Sequence, residues 1–433
     1  MDETVVEAMP ISARLTKTVA AGAIGNVLEW YDFGLFGFFA PVISQLFFPS
    51  HDELASLVGT YGVYATGFLM RPLGGVVFGY IGDRMGRKRA LELSVLLMAV
   101  PTTLMALLPT YAQAGVGASL LLTLFRLLQG LSVGGEYIGS MSFLSEHAPP
   151  GRRAFLGSFS SSSVILGSLL GSGVAALLTG LLTEADLFAW GWRLPFLGGI
   201  VIGLVGLWLR SGVDESPSFL EAREKGGLAD NPIKSAMRQN LGPIAVTLGL
   251  TGISAVGFYL PFVWLPTWLA RINQPPLDQS KALTASTIAL VALLILTPLT
   301  ALLADRVGKK PMFLASAIGY AVLTYPLFLL LKTGTYSAAV LAGLVFAACN
   351  SLYSGCMAAT MVELFPTRTR YSGVAIGYNT GQAILGGTAP LIATGLIELS
   401  GNKLLPAVYL TICSVMAGIA SLFITEQRGQ ALS

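Results

Sequence analysis

The stretch GYIGDRMGRKRAL, residues 79–91, returns in the second half of the chain as ALLADRVGKKPMF, residues 301–313. A second echo joins EHAPPGRR, residues 146–153, to ELFPTRTR, residues 363–370. The two offsets, 222 and 217 residues, are each about half of the 433-residue chain. The sequence therefore predicts two copies of one architectural unit. The aligned pairs of the first echo are Asp83 with Asp305, Arg84 with Arg306, Gly86 with Gly308, and Arg87 with Lys309.

The composition places this duplicated chain in a lipid bilayer. It is 54% hydrophobic and 11% charged, with a mean hydropathy of +0.70, whereas soluble domains carry roughly 25% charged residues. The net charge of +3 is small, and no nucleic-acid partner is expected. Cys349, Cys356 and Cys413 lie in apolar segments and are interpreted as packing residues. No metal-ligand spacing, nucleophile elbow or phosphate loop indicates a metal site, a cofactor or an enzyme.

Twelve apolar stretches follow one another along the chain, and a hydrocarbon core of roughly 30 Å needs about 20 apolar residues per helix. We predict an all-α membrane protein with twelve transmembrane helices in two pseudo-symmetric six-helix bundles. The parts are an N-terminal segment (1–16), a first bundle (17–211), a linker (212–240), a second bundle (241–425) and a C-terminal segment (426–433). The stretches lie near 17–40, 54–80, 88–109, 116–142, 154–182, 190–211, 241–270, 280–304, 311–331, 336–362, 371–397 and 404–425.

Lys and Arg are unevenly distributed between the predicted loops. Of the 26, 19 fall on the side that would hold both termini, five fall on the other side, and Arg71 and Arg126 lie within predicted helices. The excess of basic residues predicts that both termini and the linker are cytoplasmic.

The paired loops resemble the signature G-x-L-x-D-R-x-G-R-K/R of the major facilitator superfamily, and RLLQGLSVGGEY at 126–137 resembles its fourth-helix motif. The resemblance covers about residues 20–425 and implies proton-driven uptake by alternating access across a bacterial inner membrane. Its implied partners are protons, the lipid bilayer and a small molecule bound between the halves of a monomer. Stretches similar to the metabolite:proton symporter branch are GNVLEWYDF (25–33), GFLMRPLGG (67–75), LQGLSVGGEY (128–137), WGWRLPF (190–196) and FPTRTRYSG (365–373).

That branch includes carriers of citrate, 2-oxoglutarate and shikimate as well as of proline and betaine. The resemblance implies Arg at position 126 in the carboxylate carriers and Lys in the osmolyte carriers, which often have a long charged tail where this sequence closes with TEQRGQALS. We therefore predict symport of a small di- or tricarboxylate with protons. The alternatives are a proton symporter of a zwitterionic osmolyte such as proline or betaine, and an uncoupled facilitator or transporter-like receptor.

Three acids and one arginine in the first half carry the predicted coupling chemistry. Glu29 and Asp32 are three residues apart and share a helix face. Two nearby carboxylates in a medium of low dielectric constant cannot both be charged cheaply, so one of them is expected to bind and release protons. Glu136 is a third proton-carrier candidate. Arg126 suits bidentate binding of a carboxylate, or alternatively neutralises a buried acid.

The remaining candidates fall into two groups, substrate contacts and gates. The second half offers neutral polar and aromatic side chains for recognition, so we expect coupling charges in the first half and hydrogen-bonding groups in the second. Bends in the later helices are predicted at Pro261, Pro266, Pro298, Pro326, Gly386, Gly387 and Pro390. Substrate contacts are predicted at Asn26, Gln129, Tyr259, Trp264, Asn350, Tyr353, Tyr378, Asn379 and Gln382, and gating residues at Arg71, Asp83, Arg84, Arg87, Asp305 and Arg306.

Overall fold

The computed structural model describes residues 11–85, 87–146, 148–149, 151–211, 240–366 and 370–426. Across these residues the helices form twelve long rods, here called spans 1 to 12, each continuous or broken at one or more points. Spans 4 to 11, eight in all, are long and apolar enough to cross a membrane, and spans 3 and 12 contain the apolar segments Leu93–Ala106 and Leu405–Ser421. The predicted linker lies outside the described residues except for Asn240.

The spans of the first half are Ile11–Phe38 (span 1), Glu53–Leu69 with Arg71–Met85 (span 2), Arg87–Ala106 (span 3), Val116–Ser132 with Glu136–Glu146 (span 4), Arg153–Leu181 (span 5) and Arg193–Ser211 (span 6).

In the second half, span 7 consists of Leu241–Phe258, Tyr259–Trp264, Leu265–Thr267 and Trp268–Ile272. The others are Gln279–Val307 (span 8), Lys309–Leu331 (span 9), Tyr336–Glu363 (span 10), Arg370–Gly381 with Gln382–Gly386 and Ala389–Ser400 (span 11), and Leu405–Ser421 (span 12).

The packing of the spans repeats the duplication seen in the sequence. In the first half, span 1 packs on span 5, span 2 on span 4, and span 3 on span 6. In the second half the equivalent pairs recur: span 7 packs on span 11, span 8 on span 10, and span 9 on span 12. The halves meet where span 5 packs on spans 8 and 10 and where span 2 packs on span 11. The predicted all-α fold of two pseudo-symmetric bundles is confirmed.

The close crossing of spans 2 and 4 depends on glycines. A Cβ atom at Gly130 would stand 2.0 Å from the carbonyl oxygen of Gly67, and one at Gly74 would stand 2.0 Å from that of Leu131. Real Cβ atoms do not approach backbone so closely, so only glycine lets these two helices touch main chain to main chain. Span 2 is interrupted between Leu69 and Arg71 beside this crossing, which places Arg71 in the middle of the span.

Candidate functional site

Aromatic side chains from both halves meet at the centre of the molecule. Trp30 of span 1 stacks on Tyr259 of span 7, with ring centroids 6.0 Å apart. Phe68 of span 2 meets Tyr259 edge to face at 5.3 Å, and Tyr137 of span 4 lies 6.5 Å from Trp30. Tyr378 of span 11 packs on Tyr137 at 5.4 Å. We call these five residues the aromatic chamber.

A buried arginine lies against this chamber. Arg71 has no exposed surface, and its guanidinium carbon lies 5.7 Å from the ring centre of Trp30 and 5.5 Å from that of Phe68. Within the described residues, none of its three guanidinium nitrogens has a hydrogen-bond partner. Trp30 Nε1 and Tyr259 Oη are likewise buried without a partner there. Buried donors are nearly always satisfied in native proteins, so these atoms mark a place where a polar ligand can bind.

Arg71 differs in this respect from the other basic side chains that the structure buries. Arg126 pairs with Asp32, while Arg153 and Lys309 both pair with Glu363. Arg370 donates to the carbonyl oxygen of Val362. Arg71, predicted from the sequence to be a gating residue, lies at mid-span beside the aromatic chamber. The buried basic residues of the described chain are Arg71, Arg126, Arg153, Lys309 and Arg370.

A fully buried ion pair lies next to the chamber. Arg126 Nη1 is 3.1 Å from Asp32 Oδ2 and also donates to Gln129 Oε1 at 2.8 Å. Gln129 Nε2 in turn donates to Thr102 Oγ1 at 2.7 Å. Arg126, predicted to contact substrate, thus binds Asp32 and Gln129 through Nη1, whereas its Nε and Nη2 have no hydrogen-bond partner among the described residues. The side-chain amide of Gln129, also predicted to contact substrate, is held between Arg126 and Thr102.

Stacked rings connect this ion pair to the chamber. The guanidinium carbon of Arg126 lies 4.3 Å from the ring centre of Phe33 and 4.5 Å from that of Phe36. Phe33 meets Phe68 edge to face at 5.0 Å, and Phe68 is a wall of the chamber. Phe33 therefore contacts both Arg126 and Phe68, the side chain that packs beside Arg71.

The other candidates of the first half lie close to these groups. Glu29 is 5% exposed, directly precedes Trp30, and is near enough to Tyr259 for an electrostatic interaction. Asn26 donates to Ser163 Oγ at 3.1 Å and so links span 1 to span 5. Glu136 begins the second part of span 4 and is half-buried beside Tyr137.

The predicted contacts of the second half divide into two groups. Tyr259, Tyr378 and Gln382 belong to the chamber region, where Gln382 Nε2 donates to Tyr378 Oη at 3.0 Å. Three others bind protein groups: Trp264 donates to Thr394, Asn350 to Gly257 and Tyr320, and Asn379 to Gly134. Tyr353 packs edge to face on Phe313, is near enough to Tyr137 for an electrostatic interaction, and its buried Oη has no hydrogen-bond partner among the described residues. These amides and rings connect one helix to another. Residue type alone does not show whether such a side chain binds a substrate or another helix.

The halves are joined on the side that carries the basic loops, here called the basic side. Both carboxylate oxygens of Asp305 accept hydrogen bonds at 2.9 Å from the first backbone N–H groups of span 5, those of Ala154 and Phe155. Glu363 of span 10 lies between Arg153 at 3.4 Å and Lys309 at 3.1 Å. Arg306 is exposed, and the side chains of Asp83, Arg84 and Arg87 lie outside the described part.

On the opposite side, spans 1 and 2 meet span 7. Tyr61 and Thr267 are hydrogen-bonded at 3.1 Å, and Gly37 packs against Val263 so tightly that a Cβ atom would stand 2.4 Å from it. Nearer the surface, Arg271 lies 3.8 Å from Glu53, beside a cavity of about 360 Å³ that opens at this face. The described contacts thus join the two halves both on the basic side and on the side opposite it.

Three residues of the chamber, Trp30, Phe68 and Tyr137, are not among the site residues predicted from the sequence. Trp30 and Tyr137 each follow a candidate acid, Glu29 and Glu136, and Phe68 precedes Arg71 by three residues. The sequence feature that could have identified these three residues is their position next to, or one helical turn from, a charged residue within the membrane. Aromatic residues are 10% of the chain, however, and the sequence does not show which of them converge.

A family profile described as Major Facilitator Superfamily matches residues 22–390 and residues 247–431. Among solved structures, the chain is similar to the xylose transporter XylE from E. coli in a partially occluded inward-open conformation, with a TM-score of 0.76 and 21% identity over 97% of this chain and 100% of that one. XylE described as a proton:xylose symporter bound to 6-bromo-6-deoxy-D-glucose gives a TM-score of 0.77 at 20% identity, covering 97% and 98%. These likenesses confirm the twelve-helix fold.

Curated relatives are more similar in sequence. The glycine betaine/proline/ectoine/pipecolic acid transporter OusA of Dickeya dadantii is 33% identical over 100% of this chain and 86% of its own length. The proline/betaine transporter of Escherichia coli K12 is 32% identical over 100% and 87%. The ectoine/proline transporter ProP of Corynebacterium glutamicum is 33% identical over 97% and 86%.

Proposed function

Because this chain belongs to the Major Facilitator Superfamily and is a multi-pass membrane transporter rather than an enzyme, we propose that it is a proton-coupled symporter of a small zwitterionic osmolyte of the betaine or proline type. The observation that carries the substrate class is Arg71, a buried guanidinium without a protein partner among the described residues, set beside aromatic rings from both halves. The relatives transport substrates of this chemistry by name, and the osmolyte alternative therefore replaces the di- or tricarboxylate as the better interpretation.

Charge balance supports a substrate with one carboxylate. While Asp32 is charged it neutralises Arg126, so in the centre of the described chain Arg71 is the guanidinium without a carboxylate partner. A citrate-like trianion carries more negative charge than Arg71 and Arg126 together can balance even when Asp32 is protonated, and each unpaired charge out of water costs several kcal/mol. A single carboxylate forms a bidentate pair with Arg71.

The rings around Arg71 suit the other end of the same molecule. Quaternary and secondary ammonium groups are attracted to aromatic faces, and cages of aromatic side chains are a common way to bind them. Trp30, Tyr137 and Tyr259 offer such faces within reach of the guanidinium. We propose that Arg71 binds the carboxylate of the osmolyte while the chamber holds its ammonium group.

The Asp32–Arg126 pair is the proposed proton-coupling element. Protonation of Asp32 removes the counter-ion of Arg126, so that two cationic groups, Arg71 and Arg126, favour arrival of a carboxylate. Release of the substrate lets Asp32 lose its proton and pair with Arg126 again, and Phe33 and Phe68 connect the two events. Glu29, close to Tyr259, and Glu136 remain further proton-carrier candidates.

Alternating access follows from the two sets of contacts. We propose that the basic side is cytoplasmic, that both termini face the cytoplasm of a bacterium, and that the monomer imports substrate through its inner membrane. Opening on the cytoplasmic side breaks the Asp305 hydrogen bonds, and opening on the other side separates Thr267 from Tyr61.

Binding of a matched ligand series to purified protein tests the substrate class. Glycine betaine carries both groups, choline lacks the carboxylate, and 3,3-dimethylbutanoate has the same shape without the positive charge. A cation–π contribution of about 2 kcal/mol corresponds to roughly 30-fold in Kd. We expect measurable binding of glycine betaine by calorimetry and at least about tenfold weaker binding of both analogues. Binding of citrate with no binding of glycine betaine would overturn the proposal.

A further inference from the structure

Span 7 contains two prolines, and each removes a hydrogen-bond donor at a defined place. Proline has no backbone N–H, so the carbonyl group four residues earlier loses its helical partner. For Pro261 that carbonyl belongs to Gly257, and for Pro266 it belongs to Phe262. The main chain changes from α-helical to π-helical geometry at Tyr259, and the π-helical segment Tyr259–Trp264 contains Pro261.

Both carbonyl groups accept hydrogen bonds from side chains on other spans. The oxygen of Gly257 accepts from Tyr320 Oη of span 9 at 2.6 Å and from Asn350 Nδ2 of span 10 at 3.1 Å. Ser286 of span 8 donates to the oxygen of Phe262 at 2.6 Å. The prolines are therefore matched by three polar side chains, each from a different helix of the second half.

The group that holds Gly257 is rigid and buried. Asn350 Nδ2 also donates to Tyr320 Oη at 3.1 Å, and Asn350 Oδ1 accepts from Ser354 Oγ at 2.8 Å. Tyr320 and Asn350 are at most 1% exposed, and the ring of Tyr320 stacks on Phe346 with centroids 5.9 Å apart. A hydrogen-bonded network in such surroundings fixes the carbonyl strongly, because no water competes for it.

Everything that span 7 contributes to the site lies beyond this fixed point. Tyr259, two residues later, forms the wall of the chamber that stacks on Trp30. Val263, Thr267 and Arg271 follow at intervals of four residues and contact Gly37, Tyr61 and Glu53, the residues that close the side opposite the basic side. The direction of the chain as it leaves Gly257 therefore determines both the chamber and this closure.

We propose that Tyr320 and Asn350 are positioning residues that clamp the carbonyl group of Gly257 at the proline break of span 7. The clamp orients Tyr259 in the chamber and keeps Val263 and Thr267 packed against spans 1 and 2. Asn350, predicted from the sequence to bind substrate, acts on the substrate through span 7. The part concerning Tyr259 rests on the proposed function, whereas the part concerning closure is independent of it.

A buried reporter cysteine tests the closure directly. The reporter is introduced by Val263→Cys in protein whose native cysteines are replaced. A reagent added on the side opposite the basic side can alkylate it only when span 7 separates from Gly37. We expect Tyr320→Phe to raise the alkylation rate about five- to tenfold, because one donor to a buried carbonyl is lost. Asn350→Ala, which leaves the shorter hydrogen bond in place, is expected to raise it about two- to fivefold. Tyr325→Phe, at an exposed position of span 9, is the matched control.

Restoring the missing N–H distinguishes the clamp from general packing. Pro261→Ala supplies a backbone donor for Gly257, so Tyr320→Phe in that background is expected to change the rate less than twofold. An equal effect of Tyr320→Phe with and without the Pro261→Ala substitution would overturn the proposal, as would no effect of Tyr320→Phe while Pro261 is retained. The alkylation rate is measured without substrate, so this test remains valid even if the protein does not bind glycine betaine. The Kd for glycine betaine, expected to rise about fivefold in Tyr320→Phe, tests the part concerning Tyr259.

Discussion

At the scale of single residues, Arg71 is the side chain on which the proposed substrate recognition depends. We expect Arg71→Gln to weaken glycine betaine binding about 10- to 100-fold, because a charge-assisted bidentate pair is lost in a buried site. Calorimetry on purified protein measures the change. Arg306→Gln, at an exposed position, is the control and should bind like the unmodified protein. Unaltered binding by Arg71→Gln would show that the carboxylate is held elsewhere.

Asp32 is the single residue on which the proposed proton coupling, rather than substrate recognition, depends. Asp32→Asn keeps the shape of the side chain and removes its ability to gain and lose a proton. We expect the variant to exchange labelled for unlabelled glycine betaine across a membrane yet to accumulate none, because exchange needs no net proton movement. Counterflow and gradient-driven uptake in the same proteoliposomes measure the two activities. Gradient-driven accumulation at the normal level would exclude Asp32 as the proton carrier.

The residues that carry charge inside the membrane could be identified from the sequence, whereas pairing of Arg126 with a buried acid was only one of two alternatives. Glu29, Asp32, Arg71 and Arg126 are unusual because charge in a span is costly. To decide which arginine contacts the substrate, one must know whether Arg71 or Arg126 pairs with a carboxylate of span 1. That depends on the rotation of spans 2 and 4 about their axes, which close glycine contacts fix.

At the scale of helices, the crossing of spans 2 and 4 depends on Gly130. A Cβ atom there overlaps the main chain of Gly67, so the helices must separate. Overpacking of this kind costs about 1–3 kcal/mol, and we expect Gly130→Ala to lower the thermal midpoint and impair transport. Gly117→Ala, in the same helix with no atom near the new Cβ, should leave both nearly unchanged. Equal midpoints for the two variants would refute the role of the crossing.

The hydrogen bonds from span 5 to Asp305 are the corresponding feature on the basic side. A carboxylate at a helix N-terminus gains about 0.3–1 kcal/mol, and up to about 2 kcal/mol when partly buried. We expect Asp305→Asn to weaken this contact, so that a cysteine placed at the buried Ala358, which faces span 5, reacts about two- to fivefold faster with a reagent from the basic side. Asp278→Asn, which changes an exposed carboxylate at the N-terminus of span 8 on the opposite side, is the control, and an unchanged rate in Asp305→Asn would contradict the assignment.

Helix boundaries and breaks were partly accessible from the sequence. Pro261 and Pro266 predicted bends where span 7 becomes π-helical, and Gly386 and Gly387 did so for span 11. Pro298 and Pro326, by contrast, lie inside continuous helices. Whether a proline bends a helix depends on the groups that satisfy the freed carbonyl, and those come from other spans.

At the scale of the whole molecule, the duplication was the most accessible feature and the substrate the least. Two echoes half a chain apart predicted the pseudo-symmetric bundles, because each unit must pack in the same way. The division between charged coupling groups in the first half and neutral groups in the second stays a prediction. The proposed substrate depends on Arg71 together with aromatic rings of both halves, and that combination exists only after the halves are assembled.

Accumulation of glycine betaine in proteoliposomes under an imposed pH gradient tests the central claim most directly. With the interior alkaline and no sodium present, we expect inward accumulation that approaches about tenfold per pH unit for one proton per zwitterion. A protonophore should return the internal concentration to that of the medium. Equal uptake with and without the gradient, or uptake of citrate in place of glycine betaine, would contradict proton-coupled transport of a zwitterionic osmolyte.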